Sequence, residues 1–315
     1  MALTLTSQAE FTALLAKEAE GKEVVFFIHG FDNETNYVVT STEAMQANFD
    51  EKKRNGVLVV PVDWACEADP ENPLGELPTL KKDRYHVDQT SSEVAGSALW
   101  KLFSGLKNSK QTLSLNVIAH SMGNRVLRCM GKEAVKGDTS WNEEGLQGKS
   151  LLQAAPADLK NHENLFENIF FVAADIPECV FDEPDGPHSE QAEHALQSGV
   201  AALAVMTKRM HVLHGNGTDA ALNQSFLSNP TASRLGSRGP WTDGLLGLGQ
   251  KRTQVWNKIG DALDTYEEKD GEENNGKVHV KDCGAWNLKN SPNGHSYQFA
   301  TEAVDYYLKH MTKGV

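Results

Sequence analysis

Apolar residues along this chain follow two alternating rhythms. Short continuous runs, Val24-Val25-Phe26-Phe27-Ile28 and Val57-Leu58-Val59-Val60-Pro61-Val62, read as strands buried on both faces. Elsewhere the spacing is three and four residues, as on one side of a helix. Phe11, Leu14 and Leu15 line a first helix, which a capping box of Ser7 and Glu10 opens and Gly21 stops. A second helix is expected from about Ser41 to Arg54, ending at Asn55-Gly56. A long third runs near Thr90 to Leu106, with Thr90 and Glu93 as its capping box and Val94, Ala98, Leu99, Leu102 and Leu106 carrying the period. Further strands are expected at Leu113 to Ala119, Ile169 to Ala173, Met210 to Leu213 and Val278 to Val280. Helices are expected from near Met122, over Glu190 to Val205 and over Tyr297 to His310. This alternation predicts an α/β fold: a mostly parallel central sheet of about six strands with helices on both faces.

Three stretches break the rule of short connections: Gly137 to Glu167, Asp182 to Pro187 and Asn223 to Lys277. The chain is expected to be one domain over 1–315, with cap or insertion segments at about 137–167 and 223–277. The centre of the second, Trp241 to Leu248, is apolar and a candidate pocket cover or core piece, and Glu267 to Asn275 is acidic and turn-rich. No internal repeat or linker stands out.

Charge narrows the partners. With 43 acidic against 30 basic residues the formal net charge is −13. Such a chain repels phosphate backbones, so no nucleic acid is expected as a partner. No apolar run approaches the roughly 20 residues of a membrane helix, and Met1-Ala2-Leu3-Thr4 begins no secretory signal. Cys66, Cys129, Cys179 and Cys283 are far apart and form no C-x-x-C pair, which argues for reduced thiols in a cytoplasmic protein rather than a zinc site. Gly145 to Ser150 resembles a phosphate loop but has the wrong glycine spacing and follows no strand. No H-E-x-x-H is present, and no metal or organic cofactor is called for.

The chemistry concentrates at Asn116-Val117-Ile118-Ala119-His120-Ser121-Met122-Gly123-Asn124. An apolar strand, a small-x-Ser-x-small turn and a helix make a nucleophile elbow. The sharp turn lifts the Ser121 hydroxyl above the sheet, and Ala119 and Gly123 are small where strand and helix approach. The helix start offers backbone N–H groups to a developing oxyanion, with Met122 as the candidate. A second donor is expected after the first strand, in Phe27-Ile28-His29-Gly30-Phe31, from the Phe31 N–H, with Gly30 permitting close approach. His29 reads as a buried brace of that loop. A general base is expected after the last strand. There Asn290-Ser291-Pro292-Asn293-Gly294-His295 is a turn-rich loop, and His295 alone among 11 histidines has that place. Asp219, after the strand ending at Leu213, is the first candidate for the acid, and Asp175 in Ala173-Ala174-Asp175-Ile176-Pro177 is the alternative.

The sequence resembles an uncharacterised branch of the α/β-hydrolases, known as a domain of unknown function, from about Val24 to His310. The resemblance rests on F-I-H-G-F-D-N at 27–33, Y-x-x-D at 85–88, A-H-S-M-G-N-R-V-L at 119–127 and A-A-D-I at 173–176. T-D-A-A-L-x-x-S at 218–225, R-L-G at 234–236 and G-H-S-Y at 294–297 add to it. It implies the α/β-hydrolase fold and supports Ser121, Asp219 and His295 as a triad, with His120 and Gly123 in the elbow beside it. The branch tends to carry aromatic-Pro-Ser after the second strand, where this chain has Val62-Asp63-Trp64-Ala65. The expected activity is hydrolysis of an ester or related acyl bond in a small-molecule substrate, through an acyl-enzyme. The alternative is a non-catalytic α/β-hydrolase domain that binds a partner; the oligomeric state is not legible.

Overall fold

The computed structural model describes residues 7–31, 33, 35–52, 56–66, 78–108, 113–147, 149–181, 195–215, 219, 221–222, 234–238, 265–267, 277–286 and 295–311. Its centre is a seven-stranded sheet of β1 (Glu23–Ile28), β2 (Val57–Val62), β3 (Ser114–His120), β4 (Phe166–Val172), β5 (Thr207–His214), β6 (Thr265–Glu267) and β7 (Val278–Asp282). The order is β2-β1-β3-β4-β5-β7-β6, and every pairing is parallel. Six strands fall where the apolar runs predict them. The seventh, β6, is three residues at the edge, within the long stretch 223–277. The rest of that stretch, 234–238 and Lys277 apart, lies outside the described residues, including Trp241 to Leu248 and most of 267–275. So does Asp182 to Pro187.

The side-chain period of two divides the central strands between two cores. On β1, Val24, Phe26 and Ile28 enter one core while Val25 and Phe27 enter the other. The first core is closed by helices α1 (Gln8–Glu18), α3 (Pro78–Asn108) and α4 (Gly123–Ala134) and by the helix Val200–Met206. Phe26, Phe103 and Phe166 meet edge to face within it, at centroid distances of 4.9 and 4.8 Å. The second core is closed by α2 (Thr35–Glu51) and the final helix Thr301–Met311. Both faces of the sheet are therefore helix-covered, which is why central strands such as β1 are mainly apolar.

Helix boundaries depart from expectation where buried positions are polar. α3 begins at Pro78, a dozen residues before Thr90, so Thr90 and Glu93 lie in its interior. Its buried stripe runs through Asp88, Ser92, Leu99, Phe103 and Leu106, whereas Val94 is 71% exposed. α2 begins at Thr35 rather than Ser41, because Val38 faces the core while its neighbours Tyr37 and Val39 are exposed. The helix expected over Glu190 to Val205 is two pieces, Ala195–Ser198 and Val200–Met206, broken at Gly199. Gly199 has φ +84°, and a Cβ there would stand 2.4 Å from the Arg128 carbonyl oxygen, so two helices touch backbone to backbone. Residues 190–194 lie outside the described residues.

Segment 137–165 joins the end of α4 to the start of β4 and holds three short helices, 143–146, 151–154 and 157–161. Trp141, Leu146, Leu151 and Leu159 add to the first core. No helix among the described residues is long and apolar enough to cross a membrane.

Candidate active site

Parallel strands bring the loops after β1, β3, β4, β5 and β7 to one edge. β2 leaves β1 on one side and β3 returns on the other, so the chain reverses direction across the sheet between β1 and β3. Such a switch point opens a crevice at the carboxyl ends of the strands. Ser121 stands there, immediately after β3.

The backbone at Ser121 is in the left-handed region, φ 52°, which is rare for a residue with a side chain and marks a strained turn. The strain is held from several sides. The Ser121 N–H donates to the Val172 carbonyl at 3.0 Å, and its own carbonyl accepts from the Asp175 N–H at 3.1 Å. Buried Asn124 donates through Nδ2 to the carbonyls of Ala119, Ser121 and Val172 at 2.9, 3.0 and 3.3 Å. Gly123 is obligatory for packing: a Cβ there would lie 2.5 Å from the carbonyl oxygens of both Ile28 and His29. Together these contacts fix the serine at the head of α4, whose N-terminal end favours negative charge.

His295 and Asp219 meet across the same edge. Nδ1–H of His295 donates to Asp219 Oδ2 at 2.7 Å, and Asp219 is fully buried with its other oxygen accepting the Leu222 N–H at 3.0 Å. That bond leaves Nε2 as the basic atom of the ring. Two residues on, the buried Tyr297 hydroxyl donates to the Leu213 carbonyl at 2.7 Å and accepts from the Ala173 N–H at 3.0 Å. It thereby ties the His295 segment to the ends of β4 and β5. Burial pushes the Tyr297 hydroxyl well above its ordinary value, so it stays protonated. The alternative acid, Asp175, has a different partner: Arg234 Nε lies 3.2 Å from its Oδ1, and both side chains are buried. The expected turn 290–294 lies outside the described residues, as do 216–218.

The loop after β1 closes the third side. His29 is 1% exposed; the Trp64 N–H donates to its Nε2 at 3.2 Å and its Nδ1–H donates to the Gly30 carbonyl at 2.9 Å. The Trp64 ring stacks on it at 5.5 Å and donates to the His29 carbonyl at 3.0 Å. Burial holds the His29 imidazole below its ordinary value against the opposing pull of the Gly30 carbonyl and Asp63. A Cβ on Gly30 would stand 2.8 Å from the Ser121 Cβ, so the two loops are in contact. His120 bridges them to the base: its Nε2–H donates to the His295 carbonyl at 3.0 Å, and the two rings lie 4.7 Å apart. Burial, then the neighbouring His295, drops the His120 imidazole to about 3, so it is neutral at pH 7.

Ser121, His295, His120, Gly30 and Phe31 line one cavity of about 110 Å³, with Phe27, Tyr37 and Phe299 as apolar walls. The Ser121 hydroxyl makes no hydrogen bond among the described residues, and bonds of this kind commonly tighten only with substrate in place. Met122 packs its side chain into the first core, and among the described residues no acceptor takes its N–H.

Sequence reasoning passed over Asn124, Trp64 as a partner of His29, Arg234 and the double role of Tyr297. The elbow motif contains Asn124, and G-H-S-Y contains Tyr297, but spacing alone assigns neither a bonding partner.

A family model described as "Alpha/beta hydrolase of unknown function (DUF900)" matches residues 4–255, most of the chain. The match includes Ser121 and Asp219 and ends before His295. No curated protein matches the chain.

Proposed function

We propose, from the premise that this chain belongs to the DUF900 family of alpha/beta hydrolases, that it is a serine hydrolase cleaving an ester or related acyl bond. Ser121 Oγ attacks the carbonyl carbon while His295 Nε2 takes its proton. The leaving alcohol receives that proton from His295 as the C–O bond breaks. Water, deprotonated in turn by His295, then releases the acid and restores the Ser121 hydroxyl. Asp219 holds the His295 ring and supports the cation that forms on it. The N–H groups of Phe31 and Met122 are assigned to the oxyanion, a role worth roughly 3 kcal/mol per donor in such sites.

One observation carries this reading: the strained Ser121 turn and His295, whose ring bonds the buried Asp219 at 2.7 Å, line one cavity although they come from distant parts of the chain. An ordinary serine at a strand-to-helix turn has no need of a left-handed φ or of a buried acid–imidazole pair beside it. The test is hydrolysis of p-nitrophenyl esters of increasing chain length by the intact protein, Ser121→Ala and His295→Ala. The expected result is turnover by the intact protein alone. Equal turnover by all three would discard the assignment.

A further inference from the structure

The polar side chains buried around the Ser121 cavity are His29, His120, Ser121 and Gln298. Both imidazoles have partners: the Trp64 N–H and the Gly30 carbonyl for His29, and the His295 carbonyl for His120. Neither the Ser121 nor the Gln298 side chain makes a hydrogen bond among the described residues. A nucleophile awaiting substrate accounts for the first. Nothing in the packing accounts for the second. Gln298 is 2% exposed and its Oε1 has no partner. Among the described residues, this is the one such buried side-chain atom that belongs to a residue of the cavity. A buried amide left unbonded is destabilising, and its retention calls for a compensating role. Its neighbours on both sides are anchored. Gln298 is the middle residue of the 3₁₀ turn Tyr297–Phe299. The Tyr297 hydroxyl bonds Leu213 and Ala173. The Phe299 carbonyl accepts from Asn48 Nδ2 at 3.2 Å, and its ring meets that of Phe27 at 5.9 Å. The amide is thus placed in advance, as a recognition group requires.

We propose that Gln298 determines the specificity of this site and selects a short ester carrying a hydroxyl near the scissile carbonyl. The inference rests on the reading of the Ser121 cavity as the substrate site. Size sets the length: the cavity is about 110 Å³, less than the roughly 150 Å³ of an apolar cavity that admits one benzene, so it seats about four or five heavy atoms. The Phe27 and Phe299 walls take the carbon atoms. The amide sets the chemistry. It presents C=O or NH₂ according to how it is turned, and a hydroxyl, which both donates and accepts, satisfies either. An alkyl ester of the same shape leaves the amide unpaired, and that loss discriminates more sharply than a methylene more or less.

The test uses the full chain and pairs of esters that differ only by hydroxyl for methyl: methyl lactate against methyl isobutyrate, and 2-hydroxyethyl acetate against propyl acetate. Each kcat/KM is divided by the rate of the same ester with hydroxide. The expected result is a preference of at least about tenfold for the hydroxyl member of one pair, lost in Gln298→Met. That variant strands no partner, so its thermal melt is expected at or above that of the parent. Binding is measured separately, by NMR titration of Ser121→Ala with and without Gln298→Met. The ligands are N-methyllactamide against N-methylisobutyramide and N-(2-hydroxyethyl)acetamide against N-propylacetamide. The same preference, and the same loss of it, is expected there without turnover. Ratios near one in both turnover and binding overturn the proposal and leave the serine hydrolase standing, with the amide satisfied by water. A preference that survives Gln298→Met also overturns it, because another residue then reads the hydroxyl. Hydroxyl-selective binding that depends on Gln298, in a protein that turns over no ester, upholds the recognition role and removes the assignment of Ser121. Neither turnover nor binding overturns both.

Discussion

Two buried aspartates near the candidate site have different partners, and exchanging each for asparagine separates their roles. Asp219 is fully buried, bonds the His295 ring at 2.7 Å and accepts one backbone N–H. In Asp219→Asn the side chain keeps its shape, but the oxygen facing Nδ1–H is replaced by an amide that prefers the other tautomer or turns away. The His295 ring then presents Nε2–H to Ser121 and cannot take its proton. Loss of the equivalent carboxylate in such triads costs about 10⁴ in kcat, which at 1.36 kcal/mol per tenfold is about 5 kcal/mol of transition-state stabilisation. Asp175 instead faces Arg234 at 3.2 Å, with both side chains buried. Asp175→Asn removes a buried carboxylate from beside a buried guanidinium, so about 3–5 kcal/mol is lost from folding rather than from chemistry. The assay is kcat on a p-nitrophenyl ester beside a urea melt of each variant. The prediction is a folded, inactive Asp219→Asn and an unstable Asp175→Asn whose folded fraction turns over within about tenfold of the parent. A folded, inactive Asp175→Asn beside an active Asp219→Asn would refute the reasoning and transfer the acid to Asp175.

Three further outcomes follow from the same contacts. Gly30→Ala sets a Cβ 2.8 Å from the Ser121 Cβ, so the loop carrying Phe31 must withdraw. The expected fall in kcat is about 10²-fold with about 1–3 kcal/mol lost in stability, read by kinetics and a melt; an unchanged kcat would separate that loop from the oxyanion. Asn124→Ala leaves three carbonyls of the elbow without their shared donor and is expected to cost about 1–3 kcal/mol in a urea titration. Acid also weakens the fold. Burial drops His120 to about 3 and His211 well below its ordinary value, so the unfolded chain binds protons below pH 6.5 that the native state refuses. Their stabilisation is complete above pH 6.5 and is lost as pH falls toward the folded values, by up to about 1.4 kcal/mol per pH unit for each. Urea midpoints at pH 7.5, 6 and 5 measure this, and a flat series would contradict it.

Strand positions and the elbow were legible because burial on both faces leaves an unbroken apolar run, as in Val24 to Ile28, and because a nucleophile turn restricts its neighbours to small residues. Pairing of the sheet follows from alternation with helices, so the meeting of the loops after β1, β3, β5 and β7 was also accessible. Chain order put Asp219 ahead of Asp175, although both follow strands in turn-like segments; what the sequence did not carry is the position of Arg234 beside Asp175, which distinguishes their surroundings. α3 misled the periodic reading because Asp88 and Ser92 occupy buried positions while Val94 faces outward. A pattern of apolar residues cannot register a buried stripe that is partly polar. β6 carries three residues, too few to establish an alternation.

The most direct test of the central claim is labelling with a fluorophosphonate probe, comparing the intact protein with Ser121→Ala and locating the adduct by peptide mass spectrometry. The account predicts one adduct on the peptide containing Ser121 and none in the variant. An intact, folded protein that takes no label, or a variant labelled as fully as its parent, would contradict it.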